Sequence, residues 1–439
     1  MRKGLIVFSK AIIIVFILTI INCFLLVMSF YLPTGKMRQH MADSSMLIDY
    51  EELYHEWAFG YTTTRMDYLS EFTEYGMAIN EDSEGSAFEQ AMFMRFIDTE
   101  GLERDESVGK YATEPDAYFE LSEYPRYWHG IVLVMKMLLY FFTVQDIRII
   151  NMALELTLIT AVIFSMSRKG FETRIPQFIT ALIFINPVTM MLSVIFSSEF
   201  VIMLITILGI IEFGDKLDSK SGAWYIYFAS VGAITCFYSE LSSPVIALGI
   251  PLVFLIWHNN QNHVTRTALF NSFFWIMGYS ITWGMKWVIC TLFTDYNLIA
   301  EAIGQATKYE DESVLGATLT ERISRNIWPF MTATYKFIFI IAVLVVVVMA
   351  VLNFRKNSYL EKKVETVSKD LLIFTDKIVG YLIVFVIPFG MIIALGNGYS
   401  YVHFYMSHRQ LAISVLACLC IIDVLTTFFC GAMGKRIKK

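Results

Sequence analysis

Charged side chains are scarce in this sequence: they make up 17% of 439 residues, beside 56% hydrophobic and 15% aromatic. A soluble chain carries about a quarter charged residues, so a water-soluble globular protein is excluded at the outset. Cysteine gives a second exclusion. All six (Cys23, Cys236, Cys290, Cys418, Cys420, Cys430) fall in apolar runs, and none lies between residues 33 and 128. That stretch therefore has neither a disulfide framework nor a cysteine-based zinc site. No glycine-rich phosphate loop, Walker sequence or dinucleotide fingerprint is present, which makes ATP an unexpected energy source. The formal net charge of −6 points away from a nucleic-acid partner.

What the sequence does have is long apolar runs. Residues 11 to 32, Ala11 through Leu32, rise about 1.5 Å per residue and so cover the roughly 30 Å hydrocarbon core of a bilayer. Lys3 and Lys10 precede this run and no small-residue cleavage site follows it, so an uncleaved anchor helix is expected. Further runs lie near 149–167, 175–190, 194–213, 222–238, 244–257, 267–290, 332–353, 377–395 and 409–430. The fold class predicted is all-α and polytopic, with about ten transmembrane helices. Asn186-Pro187, Ser239 to Pro244 and Gly396 to Gly398 supply turns between closely spaced runs.

Lysine and arginine set the expected orientation. Arg2, Lys3, Lys10, Arg168, Lys169, Arg174, Lys216, Lys220, Arg266, Arg355, Lys356, Lys362, Lys363, Lys369, Lys377, Lys435, Arg436, Lys438 and Lys439 all fall on one side of a ten-crossing arrangement. By the positive-inside rule that side is cytoplasmic, which puts both termini in the cytoplasm of a cell with this protein in its plasma membrane. Residues 130–142 (GIVLVMKMLLYFF) are too short to cross and carry Lys136, so they read as an amphipathic helix on the outer surface. The expected division is a tail and first helix over 1–32, an acidic outer domain over 33–148, helices over 149–290, an outer loop over 291–331, and the last helices with a basic tail over 332–439.

Between residues 33 and 128 stand 21 acidic against 7 basic side chains, an excess of 14 negative charges. Solubility beside anionic lipid accounts for much of it. The same stretch holds Trp57, Phe59, Tyr61, Tyr68, Phe72, Phe88, Phe93, Phe96, Tyr118, Phe119, Tyr124, Tyr127 and Trp128. That aromatic density can build a core, so a folded helical cap is expected rather than a tether.

Several polar residues converge on the outer side. Asp67, Glu71 and Glu74 are spaced to share one helix face, either as a solvated acidic surface or as a general-base or metal-ligand patch able to hold a divalent cation. Glu199 sits just inside the boundary, where an acid needs a partner or a cavity. Glu240 stands at the same level, before the break that Pro244 forces, as a cap or a site residue. Lys286, Arg322, Arg325, Arg409, His403 and His408 gather on that side with Arg148. They either snorkel to the interface or form a funnel for phosphate oxygens. Acids outside and cations at the lipid boundary suit a site that meets a lipid phosphate and a polyhydroxyl substrate.

This order of parts resembles the C-type glycosyltransferase superfamily (GT-C). Residues 124–151, YPRYWHGIVLVMKMLLYFFTVQDIRIIN, are similar to the aromatic, proline-rich surface helix, short loop and arginine of aminoarabinose and protein mannosyl transferases. LPTGKM, YPRYWHG and VHFYMSHR also resemble segments of bacterial polytopic proteins grouped with polysaccharide synthesis. The resemblance implies transfer of a sugar from a polyprenyl-phosphate donor to a cell-envelope glycan on the outer face. It also implies an acid in the first outer loop, by position Glu71 or Glu74, and a further one at Glu199. The chain departs from the pattern in having no acid directly after the first helix, where Tyr31-Leu32-Pro33-Thr34-Gly35-Lys36 stands. Two other classes stay open: a transporter or flippase of a lipid-linked or anionic substrate, which would be expected to show inverted repeats, and a non-catalytic scaffold of a polysaccharide assembly system.

Overall fold

The computed structural model describes residues 2–50, 52–81, 85–114, 119–311, 317–358 and 367–437. Tyr118 and the basic residues Lys362, Lys363, Lys438 and Lys439 lie outside them, as do the side chains of Arg2, Lys356, Lys369, Lys435 and Arg436. Among the described residues the protein is helical apart from one small antiparallel sheet, so it is an all-α chain.

The first helix, α1, runs Arg2–Ser29. A folded segment follows, with α2 (Gly35–Asp43), α3 (Ser45–Tyr50), α4 (Tyr68–Ile79), α5 (Ala87–Phe93), α6 (Arg104–Thr113) and α7 (Ile131–Leu139). Strands β1 (Arg95–Ile97) and β2 (Leu121–Glu123) pair antiparallel within it. Its core is apolar and continuous with the rest: Phe72, Tyr75, Met77, Met92, Met94, Ile97 and Val108 are all buried. Helix starts follow local chemistry. Asp67 caps α4, and Ser86 with Glu89 closes a capping box on α5.

Helix α7 has nine residues, as its short apolar run requires, but it is not a surface helix. Met137, Phe141 and Phe142 are exposed, while Ile131, Val132, Met135, Lys136 and Leu139 are buried against α4, α1 and α2. The Lys136 ammonium donates to the Ala78 carbonyl at 2.8 Å, in the last turn of α4, and stands 4.8 Å over the Phe30 ring. A basic group there satisfies a helix-end carbonyl that has no partner of its own in the helix.

The remaining helices are α8 (Val144–Arg168), α9 (Ile175–Ile185), α10 (Pro187–Leu192), α11 (Val194–Asp218), α12 (Ala223–Tyr238), α13 (Ile246–His258), α14 (Val264–Phe293), α15 (Leu298–Asp311), α16 (Leu319–Ile327), α17 (Ala333–Ser358), α18 (Val367–Ala394), α19 (Gly396–Val402), α20 (Phe404–Ser407) and α21 (Ala412–Ile437). Every apolar run read from the sequence is helical. Six helices are long and apolar enough to cross a membrane: Lys3–Ser29, Val144–Arg168, Val194–Asp218, Ala333–Arg355, Leu371–Ala394 and Phe404–Gly431. Helices α12 and α13 are apolar but shorter, and the run at 175–190 is interrupted at Asn186, whose φ of 65° ends α9 before Pro187 starts α10.

Helix α13 lies at the centre, buried along nearly its whole length and packed against α11, α14, α12, α21 and α18. Helix α12 crosses α14 with the two backbones in contact. A Cβ on Gly232 would stand 2.1 Å from the Trp275 carbonyl oxygen, and one on Gly278 would stand 2.0 Å from that of Ala229. Only glycine lets the two backbones touch there.

Candidate functional site

The three acids on one face of the 67–79 region point inward, not to solvent. Asp67, Glu71 and Glu74 are 2%, 1% and 1% exposed, so each meets a partner from elsewhere in the chain.

Glu74 meets His129 and Glu240. The Nδ1 of His129 is hydrogen-bonded to Glu74 Oε1 and lies 3.2 Å from Glu240 Oε1. The ligand atoms of the three residues lie within 4.8 Å of one another. The other ring nitrogen, Nε2, is 2.9 Å from the Tyr124 carbonyl. A carbonyl only accepts, so Nε2 carries a proton; Nδ1 faces the two carboxyl groups, and its hydrogen bond to Glu74 places a further proton on one of the two bonded atoms. Glu74 Oε2 is buried and takes no hydrogen bond among the described residues. Glu240, with 13% of its side chain exposed, is the open edge of the cluster.

The backbone around His129 is built to hold it. His129 takes a φ of 50°, and the Gly130 N–H donates to the Phe237 carbonyl at 2.9 Å. A Cβ at Gly130 would collide with Phe237, 2.3 Å from its ring and 2.4 Å from its carbonyl oxygen. Preceding residues dock in turn. Trp128 stacks on Phe237 and donates its indole N–H to the Thr282 carbonyl at 2.7 Å. Tyr127 stacks on Trp283 with centroids 5.6 Å apart, and Trp283 and Trp287 both donate to the Arg126 carbonyl. The YPRYWHG segment is thus a strap laid over the ends of α12 and α14. Tyr124 and Tyr127 flank the imidazole, and the Tyr399 hydroxyl is 3.4 Å from the Glu240 carbonyl.

The other predicted residues lie around this cluster. Glu71 accepts from Ser193 Oγ at 2.6 Å and faces Arg148 at 3.8 Å, whose guanidinium covers the Tyr68 ring. Asp67 accepts from the Ser70 backbone and hydroxyl, at 3.3 and 2.8 Å. Burial pushes its carboxyl above the usual aspartate range, and the Ser70 bonds with the Arg409 and Arg65 charges hold it back. Glu199 is occupied completely. Ser239 Oγ, the Ser243 N–H at 3.0 and 2.8 Å and the Ser243 hydroxyl at 2.7 Å bind its two oxygens. Its carboxylate therefore holds the turn that carries Glu240.

Most of the predicted cations are engaged with backbone. The Lys286 ammonium donates to the Ala91 carbonyl at 2.9 Å and stands 5.2 Å over Trp128. Arg322 reaches the Ile392 carbonyl at 3.3 Å. Arg409 donates to the Tyr405 and Arg65 carbonyls at 2.7 and 2.9 Å and lies over Phe196. Arg325 differs, being half-buried and stacked on Tyr401 and Phe404 at 4.2 and 4.5 Å, with no hydrogen bond or carboxylate partner among the described residues. His403 lies beside Tyr399 and 3.3 Å from the Tyr405 hydroxyl. His408 is buried with Nδ1 3.0 Å from the Phe404 carbonyl.

Sequence reasoning missed His129, although it quoted the segment that contains it. The available signal was a lone histidine before glycine in an aromatic strap, downstream of an acid-bearing helix. The residues also fit a divalent cation. Two carboxylates and an imidazole whose other N–H is fixed by a carbonyl form a recurring ligand set with its outer partner.

The fold and site define an α-helical protein with helices long and apolar enough to cross a membrane, carrying a buried acid–histidine cluster where its 33–130 segment meets the helix ends. Compared with protein-family models, curated proteins and solved structures, the chain matches none of them.

Proposed function

We propose that this protein is a membrane glycosyltransferase of ten crossings, with both termini cytoplasmic. In this reading it moves a sugar from a polyprenyl-phosphate donor to a cell-envelope glycan at the outer face. The four crossings beyond the six long apolar helices are α9 with α10, α12, α13 and α14. The observation that carries the reading is the cluster of Glu74, His129 and Glu240, buried beneath an aromatic strap. Aromatic walls around a few fixed polar groups suit a polyhydroxyl ligand.

The chemistry assigned to these residues is base-assisted displacement. The acceptor hydroxyl gives its proton to Glu74 Oε2, the oxygen that no protein group occupies. Its oxygen forms a bond to the sugar's anomeric carbon as the bond from that carbon to the lipid phosphate breaks, and the phosphate leaves with the electron pair. His129 holds the Glu74 carboxylate in place, and Glu240 receives the proton on its way to solvent. Arg325, the one predicted cation whose hydrogen-bonding edge is uncommitted among the described residues, faces the departing phosphate. A divalent cation held by Glu74, His129 and Glu240 would supply Lewis acidity to the same hydroxyl. The test compares envelope glycans of a deletion strain, its parent and strains carrying Glu74→Gln or Glu240→Gln. One sugar should be missing from the deletion strain and from both variants. Unchanged glycans in the deletion strain overturn the reading.

One observation favours a transport reading instead. Glu155, within α8, is fully buried, and neither of its oxygens takes a hydrogen bond of ordinary geometry among the described residues; Asn151, one turn earlier, lies beside it. An acid so placed in a membrane helix is a candidate proton or ion carrier. Transport requires that Glu155→Gln abolish function, whereas glycosyl transfer requires that it leave the glycan pattern intact.

A further inference from the structure

At the other end of α12 from the acid–histidine cluster, about 24 Å away along 16 residues of helix, a cavity of about 530 Å³ opens between two turns. One turn joins α11 to α12 and the other joins α13 to α14. Its charges are unevenly committed. Asp218 is spent, since its two oxygens take the Trp224 indole N–H at 2.7 Å and His258 Nε2 at 2.9 Å. The N-terminus of α14 is spent as well, because Asp376 accepts from the Val264 and Thr265 N–H groups at 2.7 and 3.2 Å. Lys220 and Arg266 at the rim meet no carboxylate within ion-pair distance among the described residues. His263 joins them on the same lining.

The floor has an opposite need. Asn271 is 2% exposed and donates to the Thr267 carbonyl at 2.9 Å, and its buried Oδ1 meets no hydrogen-bond donor among the described residues. The cavity therefore asks for an anion at its rim and a hydroxyl or ammonium donor at its base. Apolar surface begins directly beside it, where Leu269, Phe270 and Phe273 of α14 are 50%, 48% and 53% exposed. A phosphodiester with a hydroxyl-bearing headgroup and acyl chains laid along α14 meets all three requirements. A free phosphate has no acyl chain and leaves the third unmet.

We propose that this cavity binds the headgroup of an anionic glycerophospholipid, with the phosphodiester between Lys220 and Arg266 and a headgroup hydroxyl donating to Asn271 Oδ1. Arg and Lys recognise phosphate oxygens by charge and hydrogen bonding, and cations at a membrane boundary favour anionic lipid. The site is independent of the glycosyltransferase reading, since it involves none of the same residues and holds in either orientation of the chain.

The test uses the full-length protein in detergent, with dioctanoyl phosphatidylglycerol, dioctanoyl phosphatidylcholine, dioctanoyl phosphatidylmethanol and inorganic phosphate as separate probes, and Kd read by native mass spectrometry or thermal shift. Phosphatidylglycerol should bind at least tenfold more tightly than phosphatidylcholine, and the exposed double variant K220Q/R266Q should lose that preference. Asn271→Ala should weaken phosphatidylglycerol severalfold while leaving phosphatidylmethanol, which lacks the hydroxyl, unchanged. Equal binding of the choline and glycerol lipids overturns the proposal. So does inorganic phosphate binding as tightly as phosphatidylglycerol, which would make the ligand a free phosphate, and so does a K220Q/R266Q protein that keeps its lipid preference.

Discussion

Glu74 and Glu199 are both buried acids where the 33–130 segment meets the helix ends, but their surroundings assign them different work, and replacing each by glutamine separates the two. Glu199 receives a hydrogen bond from each of two hydroxyls and shares the Ser243 N–H between its oxygens. Glutamine keeps one acceptor and turns an NH₂ toward the Ser243 N–H, which cannot accept from it, or forces a serine hydroxyl to reverse from donor to acceptor. Hydrogen bonds to a charged group contribute about 1.5–3 kcal/mol each, so losing one or two of them costs roughly 2–5 kcal/mol. Glu74 has one partnered oxygen and, among the described residues, one without a hydrogen bond, and a glutamine there can turn either its carbonyl oxygen or its NH₂ toward His129 Nδ1. Its stability cost should stay near 1 kcal/mol. Its cost in turnover should be that of a lost general base, about 10²–10⁴-fold. Thermal melting of the purified proteins, set beside sugar transfer to the envelope glycan, reads both quantities. Glu199→Gln should melt many degrees lower with residual turnover per folded molecule, and Glu74→Gln should melt near the parent and transfer almost nothing. A Glu74→Gln protein with parental turnover, or a Glu199→Gln protein with parental melting, would refute the reasoning.

Lys136 makes stability depend on pH. Burial pulls its ammonium from the ordinary lysine range down to about 8, so between pH 8 and about 10.5 the unfolded chain holds a proton that the folded one has released. Stability relative to Lys136→Met should therefore rise with pH across that window by up to roughly 3 kcal/mol, and parallel melting curves for the two proteins would contradict it. Adding Mn²⁺ or Zn²⁺ to the purified protein should raise its melting temperature. His129→Ala should remove that rise, and a rise of equal size in the variant would place the ion elsewhere. Gly232→Ala should cost more than about 2 kcal/mol, since its Cβ meets a backbone oxygen at 2.1 Å and no side chain can yield; an unchanged melting temperature would show that the helices move apart freely.

The helices were legible because a run of apolar residues needs no partner to declare itself. Each run became helix, and the break at Asn186-Pro187 stood where its residue types require. The acids were half legible. Spacing put Asp67, Glu71 and Glu74 on one face, but which way that face points depends on what packs against it, and that is set by α7, α8 and the strap. Lys136 shows the same limit. Its charge argued for a wet surface, yet the Ala78 carbonyl and the Phe30 ring replaced the water. The cations were half legible for a related reason. Arginine suits phosphate forks and helix-end carbonyls equally well, and Arg322, Arg409 and Lys286 are held by the second. His129 was not legible because its partners lie 55 and 111 residues away.

Those separations carry a mechanistic consequence. Glu74 comes from α4, His129 from the strap and Glu240 from the break between α12 and α13, so no one segment contains the cluster. It exists only while the 33–130 segment is seated on the helix ends. Two buried lysines tie to it: Lys136 of α7 binds the end of α4, and Lys286 of α14 reaches into the segment to bind the Ala91 carbonyl of α5. Lys286→Met removes the second tie, keeping bulk against Trp128 while leaving the Ala91 carbonyl without its donor, at a cost of about 1–3 kcal/mol. If seating makes the site, this variant should lose transfer activity and expose the segment to protease, although it touches none of the three clustered residues. Protease exposure with full activity would mean that the cluster is not where the chemistry occurs.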